Sequence, residues 1–82
     1  MITVTVRFFA AIKDITGMEF MLLMLPKNSS LLELQMELSR QFPEFGKWKS
    51  FVRFAVNQQY CGIYSVLNDK DEIAIIPPVS GG

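Results

Sequence analysis

One segment with helical periodicity lies between two groups of period-two segments, and this order constrains the fold more than any other feature of the sequence. The helical segment follows Ser30, and Glu33 lies three residues later, which is the spacing of a capping box. Apolar residues recur every three or four residues at Leu31, Leu34, Leu38 and Phe42, and Pro43 ends the pattern. The sequence therefore predicts one amphipathic helix that packs its apolar stripe on a sheet.

Two strands are predicted before this helix. Apolar side chains alternate with other residues over Ile2–Phe9, and Met18–Leu25 is rich in residues that strands accept. The segment Ala10–Thr16 is short and mixed, and Gly17 is a turn residue. We therefore expect an antiparallel hairpin with a long loop.

Period-two alternation returns after an irregular connection over residues 43–50, in which we expect Trp48 to cover an edge of the core. Three more strands are predicted, the last ended by two prolines: Val52–Val56, Tyr60–Cys61 and Glu72–Ile76. Asn57-Gln58 is a predicted tight turn because Asn tolerates positive φ. The element order favours an α+β fold of the ubiquitin-like β-grasp type, with a mixed sheet of about five strands and one main helix on one face.

Composition excludes several classes of protein. Eight Lys and Arg residues balance eight Asp and Glu residues without any basic cluster, which argues against nucleic acid as a partner. The sequence has no His and one cysteine, Cys61, so neither a zinc site nor a disulfide framework is expected. Asp69, Asp71 and Glu72 are interpreted as a solvated turn and Cys61 as a small apolar strand residue, so no metal site is predicted.

The N-terminal residues alternate as a strand does, and the longest apolar run, Met21–Leu25, is far shorter than the roughly 20 residues of a membrane span. These features predict a cytoplasmic, soluble protein without a membrane partner. With 82 residues, the chain has room for one domain. We expect residues 1–78 to form this domain and residues 79–82 a flexible tail.

The tail carries the feature that best indicates chemistry. Pro77 and Pro78 impose extended geometry and stop the last strand, and Gly81-Gly82 has the smallest cross-section a chain can have. Such a tail can enter a narrow channel and present a carboxylate, which accepts sulfur once it is activated as an acyl adenylate. The sequence offers no self-contained catalytic set, so this chemistry would need another protein. A frayed terminus that happens to contain glycines is the alternative.

Four segments together resemble the MoaD/ThiS sulfur-carrier family, and most closely its molybdopterin synthase branch. They are Val6–Ala10, Ile15–Gly17, Ala55–Asn57 and Asp71–Gly82. The resemblance extends over essentially the whole chain and is most specific in Asp71–Gly82. It implies a β-grasp fold and a chain that is the sulfur-donating subunit of a sulfurtransferase.

The resemblance also implies roles for the tail and its partners. An E1-like activating enzyme would use ATP to adenylate Gly82, and a sulfur donor protein would supply the sulfur of a thiocarboxylate. Gly81 would keep the tail thin inside a pocket of the large subunit of molybdopterin synthase, with which a heterotetramer is expected. The sulfur would pass to a cyclic pyranopterin precursor in molybdenum cofactor biosynthesis, and no cofactor would be bound by this chain.

Strand alternation predicts an apolar patch on the open face of the sheet, formed by Phe9, Ala55, Ala74 and Ile76 with Tyr60 beside them. The resemblance assigns large-subunit contacts to the same region. The expected partner-binding residues are Phe9, Tyr60, Ile76, Pro77, Pro78, Val79 and Ser80.

One residue departs from the family pattern and leaves a turn geometry open. Lys70 stands before the last strand where the family commonly has Gly. Two other functions also remain open. The chain could be a sulfur carrier for thiamine thiazole or tRNA thiolation, or a ubiquitin-like binding module without a sulfur role.

Overall fold

A five-stranded sheet with helices on one face forms the fold in residues 1–78, the part of the chain that the computed structural model describes. In chain order the elements are β1 (Ile2–Phe8), α1 (Ala10–Thr16), β2 (Phe20–Leu25), α2 (Leu31–Gln41), a 3₁₀ helix (Pro43–Lys47), β3 (Arg53–Val56), β4 (Gln59–Cys61) and β5 (Glu72–Ile76).

The strand order across the sheet is β2-β1-β5-β3-β4. β1 and β5 are parallel, and the other neighbours are antiparallel, so the sheet is mixed as predicted. β2 and β3 lie on opposite sides of the β1/β5 pair and run in the same direction, so α2 is the crossover that connects them. β5, the strand that leads into the tail, is the middle strand and is hydrogen-bonded on both sides.

Alternation along the strands produces the core. Val4, Val6, Ile73 and Ile75 point to the same side of the sheet and are fully buried. The predicted leucine stripe of α2 packs against them, since Leu31, Leu34 and Leu38 are all buried. Burial of each such aliphatic side chain contributes roughly 1.5–3 kcal/mol, so this two-layer contact is the main source of stability.

The N-terminus of α2 is fully capped. The predicted capping box is present, with the Ser30 hydroxyl accepting from the Glu33 N–H and the Glu33 carboxylate accepting from the Ser30 N–H. The N–H groups of Leu31 and Leu32 donate to carbonyl oxygens of the segment 63–65, at 3.0 and 2.7 Å. This segment therefore satisfies donors that a helix start leaves free.

The C-terminal half of α2 carries an acidic group with an altered pKa. The Glu37 carboxylate accepts hydrogen bonds from the side chains of Arg40 and Gln41. These bonds favour the charged form, with Arg40 the larger cause, and they lower the pKa of Glu37 from 4.5 to about 2.

Two segments differ from their predictions. Ala10–Thr16, expected to be a loop, is the helix α1, whose Ile12 is buried in the core. Gly17 takes φ 72° after it, and its N–H donates to the Lys13 carbonyl at 2.8 Å, so this glycine is a helix cap. The connection after α2, expected to be irregular, contains a 3₁₀ helix because Phe45 is drawn into the core.

Several strand ends also shift by one or two residues relative to the sequence predictions. β1 ends at Phe8, β2 begins at Phe20, β3 begins at Arg53 and β4 begins at Gln59. Trp48 packs against the core, as predicted. Within residues 1–78 no helix is long and apolar enough to span a membrane.

Candidate functional site: an apolar groove at the end of β5

Two small side chains form the floor of a groove on the open face of the sheet. Ala55 on β3 lies opposite Ala74 on β5, and on its other side it lies opposite Tyr60 on β4. Alanine side chains rise little above a sheet, so the surface is lowest where these strands meet. Ala55 is 7% exposed although it is on the open face, which shows that the surrounding larger side chains already shelter it.

Larger side chains rise around this floor and enclose a groove of about 720 Å³. Phe9 and Tyr60 are 46% and 67% exposed, which is a large apolar area for single residues. The described residues predicted from the sequence to bind a partner all line this groove: Phe9, Tyr60, Ile76, Pro77 and Pro78. The predicted open-face patch is therefore one continuous surface.

Two lining residues were missed by the sequence analysis, Ala10 and Gln58. Ala10 follows Phe9 at the start of α1 and has φ 48°, and a non-glycine residue in this conformation has no clear sequence signal. Gln58 belongs to the predicted tight turn, where Asn57 and Gln58 have φ 50° and 72° as a type I′ turn requires. The turn was predicted, but its closeness to the groove depends on the sheet order.

The groove has the chemistry of a binding surface. Its lining is apolar apart from the Gln58 amide and the Tyr60 hydroxyl. Charged groups lie beside it on the same face of the sheet, where the Arg7 Nε atom is 3.2 Å from a Glu72 carboxylate oxygen. An apolar centre with a polar border is typical of surfaces that bind another protein.

The turn before β5 is held in place by β1. Lys70, whose turn geometry the sequence left open, has φ 71°, the left-handed conformation that glycine adopts without strain. Its N–H donates to the Thr3 carbonyl at 2.8 Å, and the Thr3 N–H donates to an Asp69 carboxylate oxygen at 2.8 Å. The left-handed turn thus forms despite the lysine side chain.

Asp71 fixes the start of β5 from the other side. This residue is buried, and its carboxylate oxygens accept from the Asn57 Nδ2 atom at 2.9 Å and from the Asn68 N–H at 2.8 Å. The Asn57 Oδ1 atom in turn accepts from the Glu72 N–H at 2.9 Å. Asp69 and Asp71 therefore serve as hydrogen-bond acceptors of a turn, as the sequence indicated, but Asp71 is buried and not solvated as expected.

The remaining predicted site residues, Val79, Ser80, Gly81 and Gly82, lie outside the described residues. Residues 1–78 contain no group of three or more His, Cys, Asp or Glu side chains that could hold a metal ion. The partly buried Cys61 thiol donates to the Gln59 carbonyl, at 3.4 Å.

The sheet order, the single crossover helix and the groove beside the last strand define a ubiquitin-like β-grasp domain. A solved structure of a putative molybdopterin converting factor subunit 1 from Pyrococcus furiosus has the same fold, with a TM-score of 0.88, 24% identity and coverage of 96% of this chain and 100% of that one. The model of the ThiS family matches residues 6–82. The chain belongs to the ThiS family, which confirms the resemblance found in the sequence.

Two similar proteins indicate which branch of this family the chain resembles. A molybdopterin synthase sulfur carrier subunit of Arabidopsis thaliana is 33% identical over 99% of this chain and 84% of its own length. A solved complex of subunits 1 and 2 of the molybdopterin-converting factor from Helicobacter pylori contains a chain that is 29% identical, with a TM-score of 0.73 and coverage of 99% of this chain and 100% of that one.

Proposed function

We propose that this chain is the sulfur carrier subunit of a molybdopterin synthase and that Gly82 carries the sulfur as a thiocarboxylate. The observation that carries the proposal is the position of the groove, because β5 ends at Ile76 and the following Pro77 and Pro78 line the groove. A partner seated in the groove would lie next to the point from which residues 79–82 continue. One protein surface could then both hold the domain and receive its tail.

The carboxylate of Gly82 needs activation before it can accept sulfur. In the first proposed step, an E1-like enzyme binds ATP and catalyses attack of this carboxylate on the α-phosphorus. The products are an acyl adenylate and pyrophosphate. A persulfide of a sulfur donor protein then displaces AMP and forms an acyl persulfide. A thiol cleaves the sulfur–sulfur bond, which leaves the thiocarboxylate on Gly82 and a disulfide on the donor side. ATP is consumed by the activating enzyme and is not a cofactor of this chain.

The groove is the proposed docking site for the large subunit. Its exposed aromatic side chains, Phe9 and Tyr60, are of the type that dominates the energy of protein interfaces. Its prolines are rigid, so little conformational entropy is lost when Pro77 and Pro78 are covered. In the Helicobacter pylori complex, subunits 1 and 2 of the molybdopterin-converting factor are bound to each other, which supports a large-subunit partner here. Thiocarboxylate sulfur would then pass to a cyclic pyranopterin precursor in that subunit.

Intact-mass measurement tests the carrier function. Incubation with an activating enzyme, ATP and a sulfur donor should raise the mass of the chain by the difference between sulfur and oxygen. A variant lacking Gly82 should show no change in mass. Gly46→Ala is the matched control, because a Cβ atom there meets nothing within 4 Å, and this variant should be thiocarboxylated normally. An unmodified wild-type chain with every activating enzyme tested would refute the proposal.

The choice of pathway is tested separately, by supplying the thiocarboxylated chain to a molybdopterin synthase large subunit and to the thiazole-forming and tRNA-thiolating enzymes. Sulfur transfer to the pyranopterin precursor is the expected result. Transfer only in one of the other reactions would retain the carrier function and overturn the assignment to molybdopterin synthase.

A further inference from the structure

A second apolar surface lies on β2, at the edge of the sheet away from β4. Phe20, Leu22 and Met24 are 52%, 63% and 61% exposed and share the open face. In the part of the chain that the structure describes, β2 pairs only with β1. Residues 20–25 include neither a charged residue nor a proline, the usual means by which an edge strand is protected from pairing.

The hydrogen bonds between β1 and β2 determine which backbone groups of β2 face outward. The Phe8 N–H donates to the Glu19 carbonyl at 2.9 Å, so these opposite residues form a hydrogen-bonded pair. Hydrogen-bonded and non-hydrogen-bonded pairs alternate along an antiparallel ladder. Phe20, Leu22 and Met24 are therefore in non-hydrogen-bonded positions, and their N–H and C=O groups point away from β1 toward the free edge.

We propose that a second copy of this chain pairs with β2 through a two-fold axis at Leu22. Leu22 would face Leu22 of the second copy, and Phe20 would face Met24 of the second copy. All these residues have outward backbone groups, so each opposite pair could exchange two hydrogen bonds. Their side chains would meet on one face as an apolar stripe, and the sheet would continue from one copy into the other.

Charge and area both bear on the strength of this dimer. Each chain has a formal net charge of zero, so two copies do not repel each other at long range. The three side chains and the strand edge expose on the order of 400 Å² per chain, so pairing would bury on the order of 800 Å² in total, below the roughly 1,200 Å² of a standard stable interface. The dimer is therefore weak and concentration-dependent, with Kd on the order of 100 μM.

Pairing through β2 leaves the groove free. The groove lies over β5, β3 and β4, whereas β2 is at the opposite edge of the sheet. A two-fold axis between antiparallel edge strands is perpendicular to the sheet, so both grooves would open on the same face. Self-association and large-subunit binding would then be compatible.

Sedimentation equilibrium of the full chain from about 10 μM to 1 mM tests the pairing, with expected self-association of the wild type in this range. Leu22→Lys brings two like charges together on the axis and should weaken association about tenfold or more. Met36→Lys is the matched control, because Met36 is also 63% exposed but lies on α2, and its variant should associate as the wild type does. A wild type that stays monomeric to 1 mM, or equal behaviour of the two variants, would overturn the proposal.

Disulfide cross-linking tests the register independently of any loss of folding. In a Cys61→Ser background, Leu22→Cys places two thiols on opposite residues with Cα atoms about 5.5 Å apart, within disulfide range. Met24→Cys leaves the two thiols offset along the strands by about 13 Å, which is too far. Rapid dimer formation by the first variant alone is expected. Equal cross-linking rates for the two would mean that β2 does not pair in this register.

Discussion

Replacement of Lys70 by glycine should stabilise the protein, although it removes a side chain from a folded turn. Lys70 has φ 71° in the turn that leads into β5. A Cβ atom in this conformation lies too close to the following carbonyl oxygen, and glycine avoids this contact. The lysine side chain is exposed, so its removal costs little packing.

The size of the effect follows from two opposing contributions. Relief of the left-handed conformation gains about 1–2 kcal/mol. The greater freedom of glycine in the unfolded chain costs about 0.5–1 kcal/mol. The mid-range net gain is roughly 0.75 kcal/mol, which for a domain of this length corresponds to a rise in Tm of roughly 3–6 °C.

Thermal unfolding followed by circular dichroism measures this difference. Lys70→Ala is the first control, because alanine keeps the Cβ atom and should give no comparable gain. Lys27→Gly is the second, since Lys27 is also exposed but has no positive φ, and glycine there should lower the free energy of unfolding. A Tm for Lys70→Gly at or below that of the wild type, or equal to that of Lys70→Ala, would refute the reasoning.

Three further predictions test other parts of the molecule. Asp71→Ala removes the acceptor of two partly buried hydrogen bonds and should cost about 2 kcal/mol in urea unfolding, an effect that should shrink in an Asn57→Ala background; full additivity would contradict the described contact. Tyr60→Ala should weaken large-subunit binding about tenfold by calorimetry, whereas Tyr64→Ala, 78% exposed outside the groove, should not; equal losses would place the interface elsewhere. Glu37 has a folded-state pKa of about 2, below its ordinary 4.5, so its charge stabilises the fold above pH 4.5 and this stabilisation is lost as the pH falls toward 2. Wild type and Glu37→Gln should accordingly differ in Tm at pH 7 and converge at pH 2.

The sheet and the main helix were predictable because their signals are strong and local. Alternation over β1 and the capping box before α2 each specify an element without reference to the rest of the chain. The helix α1 was missed because it has only 7 residues, Phe9 provides no side-chain cap and one apolar residue, Ile12, is buried. Its stability comes from packing on the core, which a local pattern does not reveal. Gly17 was interpreted as a turn residue, whereas a glycine just after a short segment such as Ala10–Thr16 also fits a helix C-cap.

The groove was predictable in part. Once the strands were assigned, alternation placed Ala55, Ala74 and Ile76 on one face. The contribution of Gln58 was not predictable, because it depends on the order of strands that are distant in sequence. That of Ala10 depends on a positive φ for which the sequence has no clear signal. Lys70 shows a different limit of prediction from sequence. The sequence marked its departure from the family pattern, but only the backbone angle shows that the turn keeps the left-handed form at an energetic cost.

The central position of β5 has a mechanical consequence if the tail enters another protein as proposed. Force applied beyond Pro78 pulls β5 along its own axis between β1 and β3, so the hydrogen bonds of both ladders bear the load together in shear. An edge strand under the same force could peel away one bond at a time. Withdrawal of the tail from a tight channel should therefore leave the domain folded.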